Sequence, residues 1–234
     1  MTAETYRPAR RNEGKWFAAM QSRFRMARFD AINRLVEALL VGRETLSILD
    51  VGGRAEYWNM LAPHLREKVH VTLLNYGDEL ALFSEHVAEG LRFTNVAGNA
   101  CNMPQYADRS FDLVHSNSVV EHVGSYANMF EFADEIRRVG KAYYVQTPNY
   151  WFPIDPHSAF PFLHWLPDPI RMKMVTRFNV GVTRRVDERG AAIRLDGTKM
   201  IGRTFFGALF PDAVHTSERL ALVFVKSLIA TRGA

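Results

Sequence analysis

The sequence predicts an α/β fold: a doubly wound, mostly parallel seven-stranded sheet with an antiparallel C-terminal edge strand, an N-terminal helix and a cap inserted after the fifth strand. Three observations predict it. Short apolar runs alternate with amphipathic segments through the first 150 residues, which is the rhythm of parallel strands joined by helical crossovers. A glycine pair closes the first apolar run, at Gly52 and Gly53. Two β-like runs follow one another at the C-terminus, suited to an antiparallel pair at a sheet edge.

Taken in order, residues 12–41 predict a helix, because Phe17, Met20, Phe24, Phe29, Ile32, Leu35, Val36 and Leu39 recur at three- and four-residue intervals. SILDV (47–51) reads as the first strand and AEYWNMLAPHL (55–65) as helical. VHVTLLN (69–75) is a strand, ELALFSEHVAEG (79–90) a helix, LRFTNVAGN (91–99) and FDLVHSN (111–117) are strands. VVEHVGSYANMFEFADEIRRV (119–139) predicts one long helix ending at Gly140, before the strand KAYYVQTP (141–148). After Pro148 the rhythm breaks. Residues 148–197, rich in Pro, Trp and Phe, read as a cap, and Thr198 as the cap residue of a helix through KMIGRTFFGALF. SERLALVF and KSLIAT complete the strands. With 234 residues and no linker or repeat, one domain spanning 1–234 is expected, with 1–45 as its N-terminal helical segment.

Hydrophobic residues make up 47% and charged residues 23%, the mixture of a soluble globular chain. No apolar run approaches the roughly 20 residues that cross a bilayer, and the N-terminus lacks the apolar centre of a signal peptide, so a cytoplasmic protein is expected. Cys101 is the single cysteine, which excludes an intrachain disulfide and a cysteine-based metal site. The net charge of +4 is spread over several segments, arguing against a nucleic-acid partner. A local excess runs from Arg171 to Arg203, fit for solvent, an anionic acceptor or a membrane surface.

In an open α/β sheet ligands meet the carboxyl ends of the strands. Those ends read Asp50-Val51-Gly52-Gly53-Arg54, Asn75-Tyr76, Gly98-Asn99-Ala100-Cys101 and Ser116-Asn117-Ser118. The phosphate-loop pattern GxxxxGK[ST] is absent, and GxGxxG fails because Ala55 and Tyr57 stand at the later positions, so a nicotinamide-dependent oxidoreductase is only a runner-up. The blocks DVGGRAEYW, SNSVVEHVG, QTPNYWFPIDPH, FPFLHWLP and the closing ERL…KSLIATR resemble those of class I S-adenosylmethionine-dependent methyltransferases, in particular a bacterial subgroup with DVGGxxx[FY]W and SNSV[IV]EHVG. The resemblance runs from about residue 46 to the end. It implies S-adenosylmethionine as cofactor and S-adenosylhomocysteine as product, on a Rossmann-like sheet. Asp50, Gly52, Gly53 and Arg54 would surround the methionine part, Arg54 meeting its carboxylate. Asn75, with Tyr76 beside it, would meet the ribose where the superfamily usually has an acid; Asn99 would accept from the adenine amino group, and Ala100 or Cys101 would offer a backbone N–H. Asn117 and Ser118 would close the site.

Methyl transfer is an in-line displacement, so the protein aligns the acceptor and manages one proton, and no metal is required. The acceptor is expected over the fourth and fifth strands, near Asn117, Glu121, His122, Asn149, Tyr150, Trp151, Asp155 and His157. His122 and His157 are the candidate bases, and Asn149, Tyr150, Trp151 and Asp155 the candidate acceptor-binding residues. A small-molecule, saccharide or lipid-linked acceptor, of anionic character and methylated on oxygen, is the expectation; a cofactor-binding scaffold without transfer activity is the alternative, and a homodimer is compatible with either.

Overall fold

The computed structural model describes residues 15–77, 87–220 and 223–233, with side chains described from residue 22. Helix α1 (Lys15–Leu40) leads into β1 (Leu46–Val51), a 3₁₀ turn (Ala55–Met60), the short α2 (Pro63–Arg66) and β2 (Val69–Asn75). Then come β3 (Arg92–Ala97), β4 (Phe111–Asn117), α3 (Tyr126–Val139) and β5 (Gly140–Pro148). The cap holds a small hairpin, β6 (Ile154–Asp155) and β7 (Phe160–Pro161), and helices α4 (Asp168–Arg177) and α5 (Glu188–Asp196); α6 (Arg203–Leu209), β8 (Val214–Leu220) and β9 (Phe224–Arg232) finish the chain.

The seven long strands form one sheet in the order β3-β2-β1-β4-β5-β9-β8. Strands β1 to β5 are mutually parallel; β9 pairs antiparallel with β5 on one side and with β8, the outermost strand, on the other. Order reverses between β1 and β4, which places a crevice at their carboxyl ends.

The central strands carry buried apolar side chains on both faces because both faces are covered. In β1, Leu46 and Ile48 belong to the layer beneath α1, with Phe29, Ile32, Val36, Trp58 and Leu65, whereas Leu49 and Val51 face the layer of α3 and α6, with Phe132, Ile136, Phe206 and Phe210. By the same period of two, Asp50 lies on the α1 side, beneath Trp58. The cap has a small core of its own around Leu163, Val175, Val180 and Ala191.

Three predicted helices come out differently. Residues 55–65 divide into the 3₁₀ turn and α2, Pro63 opening the latter. The helix predicted over 119–139 starts only at Tyr126: Gly124 sits at φ +95°, and the Ser125 hydroxyl accepts from the Asn128 N–H as the cap. Thr198 caps nothing; α6 begins after Gly202. The helix expected at 79–90 falls largely on residues 78–86, outside the described residues, as does the start of the N-terminal helix before Lys15. Among the described residues, no helix is long and apolar enough to cross a membrane.

Candidate active site

The loop after β1 is built on a buried carboxylate. Asp50 is fully buried, its Oδ2 accepting from Trp58 Nε1 at 2.7 Å and its Oδ1 meeting His115 Nδ1 at 2.6 Å. Gly53 is required by that arrangement, because a Cβ there would lie 1.7 Å from Asp50 Oδ2. Gly52 turns the chain at φ +69°, and its Cβ would meet Val119 at 2.5 Å. The loop is stitched to β2 by Gly52 N–H on the Leu74 carbonyl at 2.8 Å, and by the Asn75 side-chain amide on the Gly53 carbonyl at 3.1 Å. An aspartate at 75 could not donate that second bond. Asn75 keeps its Oδ1 acceptor, Gly52 and Arg54 are exposed, and Tyr76 stands in the open at the strand end.

At the end of β3, Asn99 Oδ1 accepts from the Cys101 backbone N–H at 3.0 Å, and Cys101 Sγ donates to the Asn128 carbonyl at 3.3 Å. Burial, with Glu131 and Glu135 nearby, pushes the Cys101 thiol up to about 11, so it stays protonated at neutral pH. Ala100 packs against the core. At the end of β4, Ser118 takes a left-handed conformation, φ +57°, its hydroxyl donating to Gln146 Oε1 at 3.0 Å. Asn117 Oδ1 accepts from Arg28 Nη1.

Beside these strand ends opens a cleft of ≈ 290 Å³. One wall is cationic, with Arg25 and Arg28 of α1 and Lys226 of β9; another is apolar, with Phe152, Ile154, Pro156 and Met200. Glu121, His122 and His157 meet at the boundary. Arg28 is held by Glu218 at 2.6 Å, and its position fixes Asn117. Lys226 lies 4.6 Å from the Phe24 ring and 3.8 Å from Glu218 Oε2. Burial, with Arg28 close by, lowers the Lys226 ammonium to about 8 although Glu218 opposes the shift.

The histidines face each other edge to face, His122 Nε2 to His157 Nε2 at 3.2 Å. Each is oriented from behind: His122 Nδ1 lies 3.0 Å from the Gly197 carbonyl, and His157 Nδ1 lies 3.3 Å from Asp155 Oδ1. Asp155 is buried, which alone would raise its pKa, but bonds from the His157 ring and backbone and from the Ser158 hydroxyl hold it at about 2. It is therefore ionised across the working pH range.

Residues 49–142 match the family model of the methyltransferase domain. Over that stretch, about two fifths of the chain, the protein is similar to the S-adenosylmethionine-dependent methyltransferases. The fold agrees. A Methanosarcina mazei S-adenosylmethionine-dependent methyltransferase superposes with a TM-score of 0.52 at 17% identity, covering 82% of this chain and 94% of that one. A possible exported protein of Bordetella parapertussis superposes with a TM-score of 0.58 at 14% identity, covering 100% of this chain and 80% of that one. No curated protein matched in a sequence comparison.

Set on this fold, the sequence expectations divide. Gly52, Gly53, Arg54, Asn75, Tyr76, Asn99, Ala100, Asn117 and Ser118 do cluster at the carboxyl ends of β1 to β4. Asp50 does not reach outward; its carboxylate is sealed under the loop. The Cys101 N–H is committed to Asn99 and is not on offer to a ligand. His122 and His157 meet in the cleft, but the four acceptor-binding candidates stand off it. Asn149 is buried with its amide on the Val225 carbonyl, the Tyr150 carbonyl accepts from His164 and Trp165, Trp151 is exposed, and Asp155 stands behind His157. Phe152, Ile154 and Pro156, their immediate neighbours, line the cleft instead. Sequence reasoning also missed Arg25, Arg28, Gln146 and Lys226. The arginine-rich face of α1 was the available signal, yet the cationic stretch that drew attention, Arg171 to Arg203, contributes only Met200 to the lining.

Proposed function

We propose that this methyltransferase acts on a hydroxyl oxygen of a small acidic acceptor, a sugar acid or hydroxy acid being the fitting class. The observation that carries the reading is the cleft itself, where a paired imidazole edge meets a wall of Arg25, Arg28 and Lys226. The cationic wall would hold the acceptor's acidic group, and Phe152, Ile154, Pro156 and Met200 its apolar face. Gly52, Gly53 and Arg54 would take the methionine part of the cofactor on bare backbone and one guanidinium. The free Oδ1 of Asn75 suits the ribose hydroxyls, which are donors. Asn99, Ala100 and Tyr76 would flank the adenosine, with Asn117 and Ser118 at the junction with the acceptor.

S-adenosylmethionine supplies an electrophilic methyl group on a sulfonium. The chain's own task is alignment and removal of one proton. With Nδ1–H of His157 directed at the ionised Asp155, its Nε2 is left as an acceptor facing the cleft, the correct edge to take the hydroxyl proton. The oriented imidazole and the apolar wall favour oxygen over a reading as a scaffold without activity. The test is S-adenosylhomocysteine release across a panel of sugar acids, hydroxy acids and their neutral amides. Acidic acceptors should turn over and the amides should not. His157→Ala should lower kcat by about 10²- to 10⁴-fold while S-adenosylhomocysteine affinity by calorimetry stays unchanged.

A further inference from the structure

We propose that Glu121, His122 and His157 bind a divalent first-row metal ion, zinc being best matched to the donors, at the edge of the acceptor cleft. One carboxylate oxygen of Glu121 and one ring nitrogen of each histidine lie within 4.8 Å of one another. Two imidazoles and a carboxylate form a three-ligand set that leaves a coordination position open.

The hydrogen bonds around the cluster argue for a cation at its centre. The Gly197 carbonyl can only accept, so His122 Nδ1 carries its proton there. The Asp155 carboxylate already accepts from the His157 backbone N–H and the Ser158 hydroxyl, so the His157 ring turns Nδ1 to it as a donor as well. With both Nδ1 atoms committed as donors, the two Nε2 atoms face one another across 3.2 Å, an arrangement that a shared proton or a metal ion must join. That separation also suits two ligands on one ion with metal–nitrogen bonds of about 2.0–2.1 Å. Glu121 supplies an independent observation. Its side chain is fully buried, Oε2 accepts from Thr147 Oγ1 at 2.9 Å, and Oε1 has no partner. A buried carboxylate oxygen without a partner is costly, and a metal ion removes that cost.

Each ligand also has the outer support that metal sites carry: Asp155 behind His157, the Gly197 carbonyl behind His122, and Thr147 on Glu121. Glu121 and His122 come from the turn after β4 and His157 from the cap, so the ion would also staple cap to sheet. The open position faces the cleft and would take an acceptor oxygen. With the ion bound, the His157 Nε2 lone pair is engaged and takes no proton, so the ion would replace it in acidifying the acceptor hydroxyl; that use rests on the methyl-transfer reading above, and binding of the ion does not. The departure from the expectation that no metal is needed comes from His157 and Asp155, which the fold brings to a histidine thirty-five positions away.

The experiment titrates the full chain, stripped of metal by chelator, with Co²⁺ followed by its visible bands, then displaces it with Zn²⁺. One ion per chain is expected, with a rise in melting temperature. Glu121→Gln and His157→Ala should weaken Co²⁺ binding at least about tenfold, and Asp155→Asn by about tenfold through its hold on His157. Circular dichroism confirms that each variant is folded. Absence of binding in the parent protein, or equal binding in Glu121→Gln and His157→Ala, overturns the site. If the parent binds no metal yet methylates an acid in a His157-dependent manner, the metal site fails and the methyl-transfer reading stands; if the ion binds and no acceptor turns over, the site stands and that reading fails.

Discussion

Two of the carboxylate–histidine pairs among the described residues stand in opposite circumstances. Asp50 and His115 meet at 2.6 Å with both side chains essentially inaccessible, walled in by Trp58 and the ring of Tyr144. Asp155 and His157 meet at 3.3 Å, and the imidazole remains 28% exposed. In both, a carboxylate fixes Nδ1; the difference is what the second nitrogen meets. His115 Nε2 is buried without a partner, so that pair props up the loop between β1 and the 3₁₀ turn. His157 Nε2 meets another histidine in a cleft. The same pairing props a loop where it is sealed and leaves a ring nitrogen in a cleft where it opens.

The largest expected effect breaks the sealed pair. Asp50→Ala leaves Trp58 Nε1 and His115 Nδ1 without their acceptor in a dry site, which should cost about 3–5 kcal/mol and lower the melting temperature by roughly 10 °C or more. Asp155→Asn at the open pair should cost less than about 1.5 kcal/mol yet lower kcat more than about tenfold. Melting curves and initial rates on both variants check the contrast; the reverse pattern would erase it.

A smaller effect sharpens the link between the sealed pair and the loop proposed to hold the cofactor. In Gly53→Ala the new Cβ falls on an Asp50 carboxylate that Trp58 and His115 hold in place, so the loop must move instead. S-adenosylhomocysteine affinity should fall at least about tenfold, about 1.4 kcal/mol, by calorimetry. Unchanged affinity would mean that the loop does not hold the cofactor.

The sheet was legible because its signal is local. Strands buried on two faces read as short runs rich in apolar residues, and Asp50, Gly52 and Gly53 announce a strand end regardless of what surrounds them. The Asp50–Trp58 contact was nearly legible too, since both lie within ILDVGGRAEYW. What was not legible depends on distance along the chain. His115 lies sixty-five positions from Asp50, and Glu218 one hundred and ninety from Arg28. Arg28 reads as one more exposed arginine on an amphipathic helix until the C-terminal strands bring Glu218 against it. In the cap, composition marks the aromatic segment but cannot say which alternate residues face inward, so it points to Tyr150 and Trp151 where Phe152 and Ile154 line the cleft. A two-residue hairpin carries too few positions for periodicity to decide.

The smallest expected effect concerns charge at the cleft wall. Lys226 titrates at about 8 because burial disfavours its ammonium, with Arg28 and Arg25 adding repulsion and Glu218 partly offsetting both. Between about pH 8 and 10.5 the unfolded chain therefore binds a proton at this lysine that the folded chain does not, so its contribution makes stability rise with pH across that window. Binding of an acidic acceptor should move the other way. As pH rises through about 8 the wall loses one of its positive charges, and the KM for an acid should increase by about fivefold, the equivalent of about 1 kcal/mol for a partly screened charge. Lys226→Met should raise KM at pH 7 by that same factor and remove this step from the pH profile, leaving kcat little changed. A KM profile indifferent to Lys226 would place the acidic group of the acceptor against Arg25 and Arg28 alone, and would move the centre of the cationic wall from β9 to α1.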